Sequence, residues 1–293
     1  MAPSPAPAPA SAALPTPTVT ARRDGNDTAV KSADRVLTVL DLLAARGPST
    51  FSAIVSALGL PNSSAHNLLQ TMVRRDYLEF DPETRTYALG LRLWQVAQAY
   101  GGNRDLVEIA RPLMQQVVDI TGETVQLARL DGVENVYLAI AESPHPMKLV
   151  STVGARLYAH ATGLGKALLA GLPDDEVRRR LDGVVLPAFT PHTITDADAL
   201  VAAVREVRAR GFATDDEEYV IGCRCVAMGI HDVGGSVVAA MSVSIPTPRH
   251  TPAIERRART ALAEAVAELE RGLGYVAASA ASGAGTGRST AGA

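Results

Sequence analysis

Only two cysteines occur in the 293 residues, Cys223 and Cys225, with one residue between them. A disulfide closing so short a loop is strained, so the pair reads as reduced thiols and the chain as one of a reducing, cytoplasmic compartment. No apolar run approaches the roughly 18 residues that a membrane-spanning helix needs. The first residues carry no basic cluster ahead of an apolar stretch and are broken by proline, which argues against a secretory leader. Strong charge of either sign is missing too, the net value being −3. Between Arg22 and Arg104 ten basic residues face eight acidic ones, and elsewhere eighteen face twenty-three. Bulk charge therefore does not announce a nucleic-acid partner, and a favourable potential must come from local placement of basic groups.

Catalytic signatures are absent as well. There is no Gly-x-Ser-x-Gly elbow and no His-Glu-x-x-His pair. Gly163-Leu164-Gly165-Lys166 hints at a phosphate loop, but such a loop needs glycine at position 160 and a hydroxyl after the lysine, where this chain has His160 and Ala167. Cys223, Cys225, His160 and His231 fall short of a zinc set because there is no second cysteine pair. The acidic run Asp215, Asp216, Glu217 and Glu218 reads as a solvated loop. An enzyme, a bound metal and a cofactor are therefore not expected.

What is present divides into blocks. Residues 1–28 are rich in Ala, Pro, Ser and Thr, and residues 277–293 in Ala, Gly and Ser. Both bury too little to fold and read as tails. Apolar spacing predicts a helix over Ser32–Ala45 with Ser32 as cap, and a short one after Ser49 or Thr50 that ends at Gly59. Pro61 suits the first turn of a third helix, whose apolar positions are Ala65, Leu68, Leu69 and Met72. Tyr77–Phe80 and Arg85–Leu89 alternate as strands around the turn residues Asp81-Pro82-Glu83-Thr84. Three helices and a hairpin make a winged helix-turn-helix over 29–90. A further helix spans 91–104 as a linker, with the boundary at Gly101-Gly102.

Residues 105–276 read as an α+β domain. Helices are expected near 105–121, 163–170, 174–181, 196–210 and 252–273. Strands are expected near 125–130, 136–141, 147–153, 222–230 and 237–245.

The third helix turns Ser63, Ser64, His66, Asn67, Gln70 and Arg74 away from its apolar stripe. Asn and Gln pair bidentately with adenine and Arg with guanine, while hydroxyls and a helix N-terminus suit phosphate. Ser63 and Ser64 are thus candidate anchors, and His66, Asn67 and Gln70 candidate readers. Arg85, on the wing, reaches an adjacent phosphate or the minor groove. Taken alone, the same face would suit any solvated amphipathic helix; the order of helix, helix, turn, polar helix and wing favours double-stranded DNA.

The two long strands of the second block also have unlike faces. One carries Arg224, Val226, Met228 and Ile230 with Val237, Ala239, Met241, Val243 and Ile245; the other carries Cys223, Cys225, Ala227 and Gly229 with Val238, Ala240, Ser242 and Ser244. A turn with Asp232 opposite Gly235 sets Cys225 against Ser242 and Cys223 against Ser244. Small side chains with hydroxyls and thiols either leave a hollow for a small polar ligand or admit a packed helix. In the first case Val153-Gly154-Ala155-Arg156 is the expected roof, with backbone N–H groups for a carboxylate, and Asp215 accepts from a ligand hydroxyl.

Gly211, Asp215, Glu218, Cys225, Val226, Ala227, Ile230, His231 and Asp232 together resemble the signature of the IclR-type bacterial transcription regulators. Leu58-Gly59-Leu60-Pro61, Leu68-Leu69-Gln70-Thr71, Tyr77-Leu78, Gly154-Ala155-Arg156-Leu157, His160-Ala161-Thr162 and Gly165-Lys166-Ala167-Leu168-Leu169 extend the likeness over about residues 30–274. The chain departs at Asn67, Asp76 and Ala53, where the family usually has arginine, glycine and glutamate, at Tyr158, and at Met228-Gly229-Ile230. The resemblance implies a winged helix followed by a GAF-like antiparallel sheet with helices. It implies an effector, an organic or aromatic acid, held by Gly154, Ala155, Asp215, Cys225, Ser242 and Ser244. It also implies a homodimer on a pseudo-palindromic operator, formed through Leu93, Trp94, Ala97 and Tyr100, and dimers joined into tetramers. The alternative is a metabolite-binding module whose helix-turn-helix serves protein contacts.

Overall fold

A computed structural model describes residues 30–59, 61–98 and 104–275. The two tails, Leu60, the side chain of Ala97, Tyr100 and Gly101-Gly102 lie outside the described residues. The chain divides into two compact units at Arg104.

The N-terminal unit contains α1 (Lys31–Arg46), β1 (Ser49–Thr50), α2 (Phe51–Leu58), α3 (Asn62–Arg74), β2 (Leu78–Asp81), β3 (Thr86–Leu89) and α4 (Leu91–Gln98). The helices bury Val39, Leu43, Ile54, Leu69 and Met72 against Leu78 and Tyr87 of the wing. Each such side chain contributes about 1.5–3 kcal/mol. Thr50 caps α2, its hydroxyl accepting from the Ala53 N–H at 3.3 Å, and Gly59 ends that helix in a left-handed conformation. Ser32 is not the cap of α1: Val30 holds that position and makes no side-chain cap bond, so Ser32 sits inside the first turn. Pro61 occupies the cap position of α3 and lies just outside its first turn.

The sheet has three strands in the order β1-β3-β2 rather than two. Ser49 and Thr50 pair with Tyr87 and Thr86, a ladder too short to show as alternation. Asp76 takes a positive φ of 61° between α3 and β2. Gly90 is fixed by that turn, since a Cβ there would stand 2.3 Å from the Asp76 carbonyl oxygen.

The C-terminal unit contains α5 (Arg104–Thr121), β4 (Thr124–Asp131), β5 (Glu134–Ala141), β6 (Arg156–Tyr158), α6 (Gly163–Leu169), α7 (Asp174–Leu181), α8 (Ala197–Arg210), β7 (Ala213–Asp216), β8 (Cys223–His231), β9 (Val237–Pro246) and α9 (Pro252–Gly272). Six antiparallel strands run in the order β6-β5-β4-β9-β8-β7. The bulky face packs Val226, Ile230, Met241, Val243 and Ile245 with Leu113 and Met114 of α5 and Leu262 and Leu269 of α9. The other face packs Ala227 and Ala240 with Leu164, Ala167 and Leu168 of α6.

Two expectations for this unit change. Residues 147–153 form no strand. Gly154 turns the chain at φ 86°, and the stretch after it becomes edge strand β6, with the Gly154 N–H donating to the Tyr137 carbonyl at 2.8 Å. The β8–β9 register also shifts. The turn is longer, the Asp232 N–H donating to the Ser236 carbonyl, and a bulge falls at Ile230/His231. Cys225 therefore pairs with Ser244, Cys223 with Pro246 and Ala227 with Ser242. Along the paired stretch from Cys223 to Ile230 the slip is two residues, so side chains there keep their faces, but beyond the bulge it is one, and Val237, expected on the bulky face, packs on the α6 face instead.

Candidate functional site

Helical geometry orders the exposed face of α3. Positions three, four and seven apart lie side by side, so Gln70, Ser63 and Arg74 occupy its centre, with His66 on one shoulder and Asn67, Thr71 and Ser64 on the other. All six candidate residues on this helix are exposed. The His66 ring meets Phe51 of α2 edge-on, with centroids 6.3 Å apart. Ser64, Asn67 and Thr71 border a groove of about 550 Å³ whose other wall is Ser32, Arg35 and Val36 of α1. Arg74 donates to the Thr71 hydroxyl at 3.3 Å. Gln70 and Ser63 are therefore the most open of the set, and His66 the most engaged.

Arg85 stands exposed in the β2–β3 turn at φ 55°. Asp81 braces that turn, accepting from the Glu83 N–H at 2.8 Å and the Thr84 hydroxyl at 2.7 Å. The Thr84 hydroxyl first and the Glu83 N–H second hold the Asp81 carboxyl below its usual range. The wing thus presents Arg85 from a braced turn.

In the C-terminal unit the small-residue face is shared between the two readings of it. Near the middle, α6 packs onto it directly: a Cβ on Gly163 would lie 3.5 Å from Ala227 and 3.6 Å from Cys225. Gly165 is required where α6 crosses Ala159, because a Cβ there would come within 2.2 Å of that backbone. Gly163-Leu164-Gly165-Lys166 is wholly buried, so this stretch offers no open phosphate loop.

Toward the Cys223 end a hollow remains. Its walls are Tyr137, Leu157, Thr162, Gly163 and Leu164, its floor Cys223, Cys225, Ser242 and Ser244, and its cover Leu149, Asp215, Tyr219 and Val220. It encloses about 20 Å³, room for one water molecule. The protein's own side chains therefore fill most of the space expected for a ligand.

The floor is a hydrogen-bonded unit organised by Gln126, a fully buried residue that sequence reasoning missed. Its Oε1 accepts from the Ser242 and Ser244 hydroxyls, each at 3.0 Å, and its Nε2 faces Ser151 at 3.4 Å. The Cys225 thiol lies 3.2 Å from the Ser244 hydroxyl. The neighbouring Cys223 thiol, then burial, push the Cys225 thiol well up, so it is a neutral thiol. Burial raises the Tyr137 hydroxyl likewise. The usable signal for Gln126 was a polar residue flanked by Val125 and by Leu127-Ala128 in the inner half of the strand.

Gly154 and Ala155 are not among the residues lining this hollow. The Gly154 N–H donates to Tyr137 and the Ala155 N–H to Thr152, so neither is free for a carboxylate in this arrangement. Asp215 does reach the hollow and is buried, accepting from the Glu218 N–H at 2.7 Å. Burial raises its carboxyl to about 7.

The acidic run is not a solvated loop. Asp215 and Glu218 are buried, and Glu218 takes the Lys166 ammonium on both oxygens at 2.5 and 2.6 Å. His160 and His231 are each engaged elsewhere: His160 donates to the Pro187 carbonyl at 3.0 Å, and His231 meets Glu270 at 2.6 Å.

An exposed polar helix beside a braced wing, in one chain with a separate antiparallel unit built over a buried polar floor, is the architecture of a winged helix-turn-helix joined to an α+β domain. Residues 32–82 match the family model of the IclR helix-turn-helix domain, and residues 98–271 that of the bacterial transcriptional regulator IclR C-terminal domain. The HTH-type transcriptional regulator BhcR of Paracoccus denitrificans is 36% identical over 244 residues, covering 83% of this chain and 88% of that one. The HTH-type transcriptional repressor AllR of Escherichia coli is 35% identical over 222 residues, covering 75% and 82%. Among solved structures, an IclR homolog from Microbacterium hydrocarbonoxydans complexed with 4-hydroxybenzoate matches with a TM-score of 0.74 at 28% identity, covering 83% and 98%. The chain belongs to the IclR family of transcription regulators.

Proposed function

We propose that this regulator binds a pseudo-palindromic operator as a homodimer and releases or tightens on it when a small organic or aromatic acid enters the C-terminal unit. In this reading residues 29–90 bind DNA, 91–104 link, 105–276 sense, and the protein works in the cytoplasm. Ser63, Ser64, Gln70, Asn67, His66, Arg74 and Arg85 form the DNA-contacting set. Asp215, Cys225, Ser242 and Ser244 contact the effector, with Gln126 behind the hydroxyls and Gly154 and Ala155 recruited when the cover moves. Exposed Leu91 and Trp94 on α4, 61% and 62% accessible, support dimerisation through this helix. Effector domains then join dimers into tetramers.

The observation that carries the proposal is the buried floor of Gln126, Ser242 and Ser244 beneath a cover made of two loops. A hollow that closes to one water when empty and opens for a ligand supplies two arrangements, and differential affinity for them is what couples a sensing site to DNA. The solved relative's 4-hydroxybenzoate makes that acid the first probe.

Asn67→Ala with Gln70→Ala is expected to lower specific operator affinity about ten- to a hundred-fold while sparing non-specific binding, read by mobility shift across salt concentrations. Equal loss on specific and random DNA would reduce both residues to backbone positioning. Binding without sequence preference or salt dependence would point to protein contacts through the helix-turn-helix. Ser242→Ala is expected to weaken the effector response without altering effector-free DNA affinity, and calorimetry showing unchanged ligand binding would remove Ser242 from the site.

A further inference from the structure

One arm of the cover over the polar-floor hollow is tied down from outside. It runs through residues 217–221, between β7 and β8, and sets Tyr219 and Val220 over Cys223, Cys225, Ser242 and Ser244. Its first residue, Glu217, takes φ 60°; among the described residues of the C-terminal unit it is the only non-glycine residue with a positive φ. A glutamate is strained there, and such strain persists only where neighbouring contacts over-determine it.

Those contacts come from two sides. The loop between α7 and α8 supplies the first. The Thr190 hydroxyl donates to the Glu217 carbonyl at 2.7 Å, the Thr193 hydroxyl donates to the Glu218 carbonyl at 2.6 Å, and the Phe189 ring lies against Tyr219 with centroids 4.8 Å apart. Thr193 is itself fixed, accepting from the Phe189 and Thr190 N–H groups at 3.0 and 2.9 Å. Thr247, just after β9, supplies the second side, donating to the Glu217 carboxylate at 2.6 Å. The Gly222 N–H donates to the same oxygen at 3.2 Å and closes the segment. None of Thr190, Thr193 and Thr247 lines the hollow, so each bears on the cover without touching what lies beneath it.

We propose that Thr190 and Thr193 form a latch on this arm and that Glu217 is the hinge about which it opens. With the latch made, the strained hinge is held and Tyr219 and Val220 stay over the floor. With it released, Glu217 relaxes out of the left-handed region and carries them away. The strength of the latch thus sets the fraction of molecules whose hollow is open. That much is independent of what enters; its use in setting effector affinity rests on the effector reading.

Cys223 and Cys225, the only thiols in the chain, lie on the floor and report opening without any ligand. The full-length protein is treated with iodoacetamide and the rate of thiol modification followed by mass spectrometry. Thr190→Val keeps the shape of the side chain and removes its hydroxyl; it is expected to speed modification about two- to ten-fold, the worth of one hydrogen bond. Thr190→Ser keeps the hydroxyl and is expected to react at the wild-type rate. Thr247→Val releases the hinge from the other side, is expected to act as Thr190→Val does, and keeps the test open if that variant fails to fold. Rates unmoved in both valine variants would overturn the latch and route entry under the Leu149 arm. Thr190→Ser as fast as an accelerated Thr190→Val would overturn it too, as would a rate that climbs with urea on the full global-unfolding slope, since the floor would then open only by unfolding. 4-Hydroxybenzoate is expected to bind Thr190→Val more tightly than the wild type by the same factor. Its failure to bind either protein, beside accelerated modification, would count against the effector reading and leave the latch standing.

Discussion

Replacing Glu218 with glutamine keeps the side chain's shape but strands the Lys166 ammonium. Both residues are buried, and the contact uses both carboxylate oxygens. A paired buried charge roughly breaks even against its desolvation, whereas an abandoned one costs about 3–5 kcal/mol. The lower end applies here because a second carboxylate is at hand. Asp215 is held near 7 chiefly by burial and, to a lesser degree, by the Glu218 charge, while Lys166 acts to lower it. Once Glu218 is neutral and Lys166 is freed, Asp215 ionises more readily and becomes the substitute counter-ion. Expected values are a loss of about 3 kcal/mol for Glu218→Gln, roughly a fifth to three-fifths of the stability of a typical domain, and recovery of most of it in Lys166→Met with Glu218→Gln. Urea denaturation followed by circular dichroism measures both units together, and fluorescence of Trp94, the only tryptophan, reports the N-terminal one and should not move, so a shifted dichroism transition is assigned to the C-terminal unit. A single-variant cost below about 1 kcal/mol, or a double variant no better than Glu218→Gln, would refute the reasoning.

The pH dependence follows from Asp215. Its folded carboxyl titrates near 7, above the ordinary unfolded value of about 3.9, so the native state holds a proton that the unfolded chain has already lost. This group's contribution is greatest at pH 4 and disappears as pH rises toward 7; Asp215→Asn should flatten that slope, and a variant with the wild-type slope would assign the effect to another group. Gly90→Ala should lower the Trp94-reported midpoint, costing about 1–3 kcal/mol through overpacking, because the new methyl meets the Asp76 carbonyl; an unchanged midpoint would mean that the α3–β2 turn yields freely.

How much of this was legible depended on the range of each signal. The faces of α3 follow from spacing within thirteen residues, and its exposed set needed no tertiary information. The unlike faces of β8 and β9 also read correctly along Cys223–Ile230 even though the register did not, because turn and bulge together slip the pairing by two and the side-chain period is two; Val237, between turn and bulge, was assigned to the wrong face. The Lys166–Glu218 pair lies 52 residues apart in sequence. From composition alone Lys166 looked like part of a glycine-rich loop and Glu218 like part of a solvated run. No local pattern reports that two chain segments bury complementary charges against each other.

The hollow marks the deeper limit. Small residues on a sheet face state that volume is left above the strands, but not what takes it. Gly163 of α6 takes the part over Ala227 and Cys225, and Leu149, Tyr219 and Val220 cover much of the rest. The hydroxyls of Ser242 and Ser244 are not idle in the closed state, because Gln126 accepts from both. On the proposed reading, an entering acid displaces apolar cover and competes for those hydroxyls, and its apparent affinity is reduced by the fraction of molecules that are open. In that proposal the cost gives the cover its use in signalling. A site already open would bind more tightly but would have no second arrangement to transmit, whereas one that closes on itself makes ligand entry a change in structure.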